Sequence, residues 1–166
     1  RLDDPADLVR LIAKAGVLEF RVAPYNPDSQ EDVRISATDL AECVRSLDED
    51  GPEGLRKRNH RFLWFPLRGE RRGYGKLVIR AYAGRDYILL CNTRGKMMLH
   101  DPGQKGWSRL RAMPGTDHKT GGRAIDFVLN EAGARLFANL TGEHKGQCMA
   151  VLLDDEVYSA PVIQAV

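Results

Sequence analysis

Cys148-Met-Ala-Val-Leu-Leu153 runs without a polar side chain and stops at Asp154-Asp155-Glu156, after which Val157-Tyr158-Ser159 resumes. An apolar run this short, bounded by turn residues, reads as a buried strand, Gln147 to Leu153, and not as a helix. The three acids admit two readings. Clustered carboxylates are what a divalent cation prefers, but neighbours on a strand point to opposite faces and cannot converge on one ion unless the chain bends. A two-residue hairpin loop supplies that bend, and aspartate tolerates the positive φ it demands. The spacing therefore predicts a hairpin with its acids at the tip, with the metal site as the competing reading.

Upstream of the hairpin, Arg123 to Leu129 reads as a strand. Asn130 is placed to cap a helix whose inner stripe is Gly133, Leu136, Phe137 and Leu140, ending near Gly142. At the other end, Asp4-Pro5 opens a helix pattern with Leu8, Leu11, Ile12 and Ala15 on one side, and Gly16 stops it. Val17 to Val22 then alternates as a half-buried strand. Ser36 opens a further helix with the stripe Leu40, Cys43, Val44 and Leu47, ended by Gly51-Pro52.

Arg61 to Leu67 is rich in strand formers but contains Pro66, so it predicts an edge strand or extended segment. Lys76–Tyr82, Tyr87–Cys91 and Lys96–His100, separated by Gly84-Arg85-Asp86 and Thr93-Arg94-Gly95, predict a three-strand antiparallel meander. Residues 101–122 are rich in glycine and proline around one short strand, Ser108 to Met113, and mark the expected boundary or hinge.

The 166 residues suffice for one sizeable domain or two small lobes, and a hydrophobic content of 43% with 29% charged residues describes a globular chain. The net charge of +2 forces no partner, but its distribution is uneven. Nine acids stand against two arginines between Asp28 and Glu53; eight cations stand against Glu70 alone between Arg56 and Lys76. Two solvated, mutually attracting faces explain this, and an RNA-binding module using Arg56–Lys76 is the alternative. Phe62, Trp64 and Phe65 are either core or an exposed patch for apolar polypeptide.

Little in the sequence suggests catalysis. His60, His100, His118 and His144 are scattered, and no serine or cysteine lies in a nucleophile-elbow context. Cys43, Cys91 and Cys148 are widely spaced among apolar neighbours, with no ligand pattern. No catalytic residue, metal or cofactor is expected. No apolar run reaches the roughly 20 residues of a spanning helix. The start at Arg1, without methionine or signal core, leads to the expectation of a domain cut from a longer protein.

From Arg123 to Ile163 the chain resembles the large extracytoplasmic domain of the SecD family of Sec translocase subunits. The residues that carry the resemblance are Phe127, Asn130, Gly133, Ala134, Phe137, Thr141, Gly146, Asp154 and Ser159-Ala160-Pro161, and Leu18-Glu19-Phe20-Arg21 matches the family's early strand. Asp155 departs from the pattern, standing where the family usually has glycine, and residues 24–120 have no counterpart. The chain also ends at Val166, short of the further strand and helix that usually close the domain.

The resemblance implies an α+β fold of mixed or antiparallel sheets with helices packed on one face. It implies ferredoxin-like elements in a base (residues 1–23) and a head lobe (122–166), joined by a charged middle region (24–121) with the meander. It implies no enzyme, but an accessory subunit that binds or guides emerging unfolded polypeptide in proton-gradient-assisted export. The proton-carrying residues would lie in membrane helices outside this chain. The protein would sit in the inner or plasma membrane with this domain periplasmic. Its partners would be the unfolded preprotein, a SecF-like subunit and the Sec channel, with no nucleic acid and no small-molecule substrate. The expected polypeptide-binding residues are Tyr158, Ser159, Pro161 and Ile163, with Phe62, Trp64 and Phe65.

Overall fold

The structure, a computed structural model, describes residues 17–31, 34–69, 71, 73–99, 109–116 and 123–164, with the backbone alone at 109–116 and 123–127. The expected helix of residues 4–15 lies outside the described residues. Nine strands are present among them: β1 (Leu18–Ala23), β2 (Phe62–Pro66), β3 (Ile79–Tyr82), β4 (Arg85–Cys91), β5 (Met97–Met98), β6 (Arg109–Thr116), β7 (Arg123–Leu129), β8 (Cys148–Leu153) and β9 (Glu156–Ser159). The helices are α1 (Ala37–Asp50), α2 (Gly54–Lys57) and α3 (Glu131–Glu143). The fold is α+β, and every strand-to-strand ladder is antiparallel. No described helix is long and apolar enough to cross a membrane.

A four-stranded sheet of order β5-β1-β8-β9 is the centre of the molecule. β1 pairs with β8 along its whole length, Leu18 opposite Leu153 through Ala23 opposite Cys148. Leu18, Phe20 and Val22 point to one face, where Met149, Leu153, Leu140 and the ring of Phe137 gather. The Phe20 and Phe137 rings meet edge to face at 5.1 Å, seating α3 on that face. Ala150, Leu152 and Val157 point the other way, into the larger core beneath a second sheet of order β2-β4-β3.

That second sheet has both its faces covered. Trp64 donates its indole N–H to the Cys43 carbonyl of α1 at 3.0 Å, while the next residue, Phe65, lies under the Arg21 guanidinium of β1. Neighbouring strand residues face opposite ways, so α1 and the central sheet flank β2. The β6–β7 ribbon pairs separately, from Arg109 opposite Leu129 to Thr116 opposite Arg123.

Several expectations are met. Ser36 caps α1 through Asp39, Asn130 caps α3 through Gly133, and Gly51 closes α1 at φ 76° with the Tyr82 ring against it. Asp154 and Asp155 form the two-residue hairpin loop at φ 48° and 62°. β2 is an edge strand, as Pro66 requires.

Others need correction. The meander stops after β3 and β4, because Met97–Met98 pairs with β1 and becomes the edge of the central sheet. β1 is buried on both faces and not on one, since the second sheet covers Arg21 and Ala23. Leu136 is 47% exposed, because α3 rests on the line Gly133, Phe137 and Leu140, and Leu136 falls to one side of it. Apart from these corrections, β1, within the expected base at 1–23, and β8, within the expected head at 122–166, are neighbours in one sheet.

Candidate strand-docking edge

After β9 the chain continues as Ala160-Pro-Val-Ile163 alongside the start of β8. Met149 donates to the Pro161 carbonyl at 2.9 Å, Ile163 donates to the Gln147 carbonyl at 2.8 Å, and Gly146 donates to the Ile163 carbonyl at 2.9 Å. These bonds flank the pairing of Cys148 with Val162. In an extended chain alternate residues present their backbone groups to opposite sides, so Val162 turns its own N–H and C=O away from the sheet. Among the described residues no backbone group takes either, and the Val162 side chain is 46% exposed.

Beside this open edge lies a groove of about 530 Å3, whose apolar wall includes Tyr25, Tyr74, Leu77, Cys148 and Val162. Tyr25 donates its hydroxyl to the Gly146 carbonyl at 2.9 Å, which fixes the ring against the start of β8. Burial, with the Cys148 thiol beside it, pushes that phenol above its ordinary range. Burial raises the Tyr74 phenol as well, although the Ala160 backbone opposes the shift. Glu31 and Lys76 pair at the rim.

The rest of the β9 edge is occupied. Leu67 bridges Val157 in parallel, and the Arg68 N–H donates to the Val157 carbonyl at 2.9 Å. The Arg68 guanidinium stacks over the Tyr158 ring at 4.8 Å and donates to its hydroxyl.

Of the expected contact residues, Tyr158 and Ser159 are half-buried, Pro161 is exposed, and Ile163 is a core side chain at 8% exposure. The structure does not bring Phe62, Trp64 and Phe65 to this edge. Trp64 and Phe65 lie in the core at 1% and 0% exposure, and Phe62 bridges the two hydrophobic clusters, so none of the three forms an exposed patch. Two groove residues, Tyr25 and Tyr74, were missed because they sit in turn-like and glycine-rich stretches with no periodicity. The one available signal was Tyr74 as the lone aromatic of its loop.

The family-motif residues mostly build the scaffold. Asn130 accepts the Gly133 N–H at 2.8 Å, Ala134 donates to the Asn130 carbonyl at 2.8 Å, and the Thr141 hydroxyl donates to the Phe137 carbonyl at 2.8 Å. Gly146 takes φ 80° at the turn into β8. Asp154 accepts the Val17 N–H on Oδ1 at 2.9 Å and ties the hairpin tip to the start of β1. Ala160 is buried, and Phe127 lies in β7.

Glu19 and Arg21 are different in kind, forming a charge pair inside the molecule. The Arg21 Nε lies 3.6 Å from Glu19 Oε2, and neither atom has a hydrogen-bond partner. The Arg21 Nη1 donates to the Cys91 carbonyl and to Asn92 Oδ1, both at 3.1 Å. Desolvation raises the Glu19 carboxyl above its ordinary range and lowers the Arg21 guanidinium, while each partner's charge opposes the other's shift.

The hairpin acids diverge. Asp154 turns to Val17, Asp155 is exposed, and Glu156 pairs with Arg85 at 2.7 Å. Among the described residues no three histidine, cysteine or acidic side chains are placed to hold a metal ion. The acidic and basic stretches attract each other across the surface, through Arg58–Asp50, Arg61–Asp39 and Lys76–Glu31.

Residues 97–166 match the family model described as the P1 head subdomain of SecDF. The chain is 46% identical over 54 residues to the protein translocase subunit SecD of Rhodobacter capsulatus, covering 32% of this chain and 10% of that protein. It is 23% identical over 168 residues to SecD of Calditerrivibrio nitroreducens, covering 98% of this chain and 25% of that protein. A solved structure of SecDF, described as a membrane component that enhances protein export, aligns with 96% of this chain and 54% of its own, at 20% identity and a TM-score of 0.36. The chain thus spans a quarter or less of the length of these SecD relatives. The matched segment contains β5 through β9 and the hairpin whose signature residues hold the central sheet together, and over that segment the chain is similar to SecD translocase subunits.

Proposed function

We propose that this chain is the extracytoplasmic part of an accessory subunit of the Sec preprotein translocase, and that it holds or guides unfolded polypeptide as it emerges. The observation that carries the reading is the open edge at Val162 beside the apolar groove. An extended segment pairing with an edge gains main-chain hydrogen bonds that do not depend on its sequence, and a groove beside the edge accepts alternate apolar side chains. That suits a protein that must handle many different passengers.

On this reading the module binds polypeptide and catalyses no reaction. The SecD relatives support membership of the translocase, with a SecF-like subunit and the Sec channel as partners reached through membrane segments. The reading further puts this part on the periplasmic side during proton-gradient-assisted export.

The test places a photo-crosslinking residue at Val162 in the full-length subunit and arrests a preprotein in transit through membrane vesicles. A crosslink to the passenger at Val162, absent from a control position on the exposed face of α3 such as Arg135, is the expected result. Equal labelling at both positions, or none at either, refutes the edge as the holding surface.

A further inference from the structure

We infer that Leu67 and Arg68 form a built-in clamp on the outer edge of β9 that directs an extended guest to the open stretch around Val162. This rests on the polypeptide-holding reading above and adds where, and over what length, the guest pairs.

An unoccupied edge strand recruits any extended chain along its whole length. Here the first outward acceptor, the Val157 carbonyl, is already taken by the Arg68 N–H at 2.9 Å, and Leu67 runs parallel to the edge as a guest would. Next along the edge, the Arg68 guanidinium covers Tyr158 by stacking on its ring and bonding its hydroxyl. Tyr74 lines the groove beside Val162. Past the clamp, the Val162 N–H and C=O stand open among the described residues.

The clamp is anchored from behind. Leu67 donates to the Asp86 carbonyl at 2.8 Å, and the Asp86 carboxylate pairs with Arg71, so the segment is a spur of the β2–β4 sheet and not a free loop. Along the described edge from Val162 to Gln164, about 3.3 Å per strand residue gives a guest roughly 10 Å and two or three main-chain bonds. Contact of that size is weak and reversible. A passenger that must keep moving needs such a surface, whereas the whole β9 edge would add bonds and slow its release.

The probe is an unstructured peptide of alternating valine and threonine carrying a benzophenone, added to the chain, irradiated, and mapped by mass spectrometry. Labelling confined to residues 160–164 and the groove is expected for the wild type. In Arg68→Pro, which has no N–H to hold the Val157 carbonyl, it spreads to residues 157–159 and the peptide binds about five-fold tighter, the gain expected from one further hydrogen bond. Arg68→Ala keeps that N–H but uncovers Tyr158, so it gives a smaller shift, and it replaces the proline variant if melting shows that variant misfolded. Wild-type labelling that already covers residues 157–159, or confined labelling unchanged in the variants, overturns the clamp. A wild-type chain labelled nowhere on this edge removes the holding reading on which the clamp stands.

Discussion

Replacing Arg21 by methionine leaves Glu19 with its charge and without its partner inside the molecule. The Arg21 and Glu19 side chains are only 5% and 14% exposed, and Arg21 also supplies two bonds to Cys91 and Asn92 and a stack 4.8 Å over Phe65. Removing one member of a buried ion pair costs about 3–5 kcal/mol, chiefly because the other charge stays desolvated. For a chain of this size that lowers the melting temperature by roughly 10 °C near neutral pH.

The pH dependence gives the sharper test. The folded state already holds the Glu19 proton more tightly than the unfolded chain, because burial raises its carboxyl. Between the unfolded and folded pKa values the native state therefore binds more protons, and stability falls as pH rises. Arg21 restrains that rise, so its loss widens the window upward and steepens the fall. The deficit of Arg21→Met should be largest at pH 7–8. It should shrink towards the about 1–2 kcal/mol of the lost hydrogen bonds as pH falls into the ordinary carboxylate range, where the raised Glu19 carboxyl takes up its proton in the folded variant. Calorimetric melts of wild type, Arg21→Met and the Glu19→Gln/Arg21→Met double variant between pH 4.5 and 8 measure this directly. The double variant should recover most of the loss at pH 8, as neutral replacements of buried pairs do. A deficit of the same size at pH 4.5 and pH 8 would refute the buried-charge reasoning and leave lost packing as the cause.

Asp155→Gly should stabilise the chain by about 1 kcal/mol in denaturant titrations, since φ 62° is a left-handed conformation that glycine adopts without strain and Asp-Gly is a favoured hairpin loop. No gain would mean that Asp155 makes an offsetting contribution. Burial pushes the Cys43 thiol up to about 12 and the Cys91 thiol up to about 11, so both should resist thiol reagents at pH 8 in the native state and react rapidly once unfolded. Fast native labelling of either would show that its surroundings open far more readily than the packed core implies.

The parts of the fold legible in the sequence are those set by short-range chemistry. Ser36 and Asn130 announce their helices because a cap and its partner lie three residues apart. The Asp154-Asp155 turn announces its hairpin because the strands it joins are adjacent in the chain. Met97–Met98 was assigned to the wrong sheet because its partners, Phe20 and Arg21, lie far back in the sequence, and an apolar dipeptide fits either sheet equally well. Alternation in β1 suggested one solvent face, and nothing local could show that a second sheet covers it. The contact residues fared alike: Tyr158, Ser159 and Pro161 sit at or beside the edge, while Trp64 and Phe65 were needed by the core.

Most residues that carry the resemblance to SecD lie away from the Val162 edge, although Ser159-Ala160-Pro161 adjoin it. Asn130, Gly133, Thr141, Gly146 and Asp154 cap, turn or tie, and Leu18 and Phe20 set the register of β1 against β8. Together they fix where the strand after β9 must lie, and so fix the position of the Val162 edge without touching a guest. On the clamp reading, the charged middle region bears on that edge from outside the signature, through Leu67 and Arg68. A chain could keep every signature residue and still hold polypeptide over a longer stretch, if its middle region left Val157 uncovered. Variation between residues 24 and 121, and not in the hairpin, is where differences in grip should be sought.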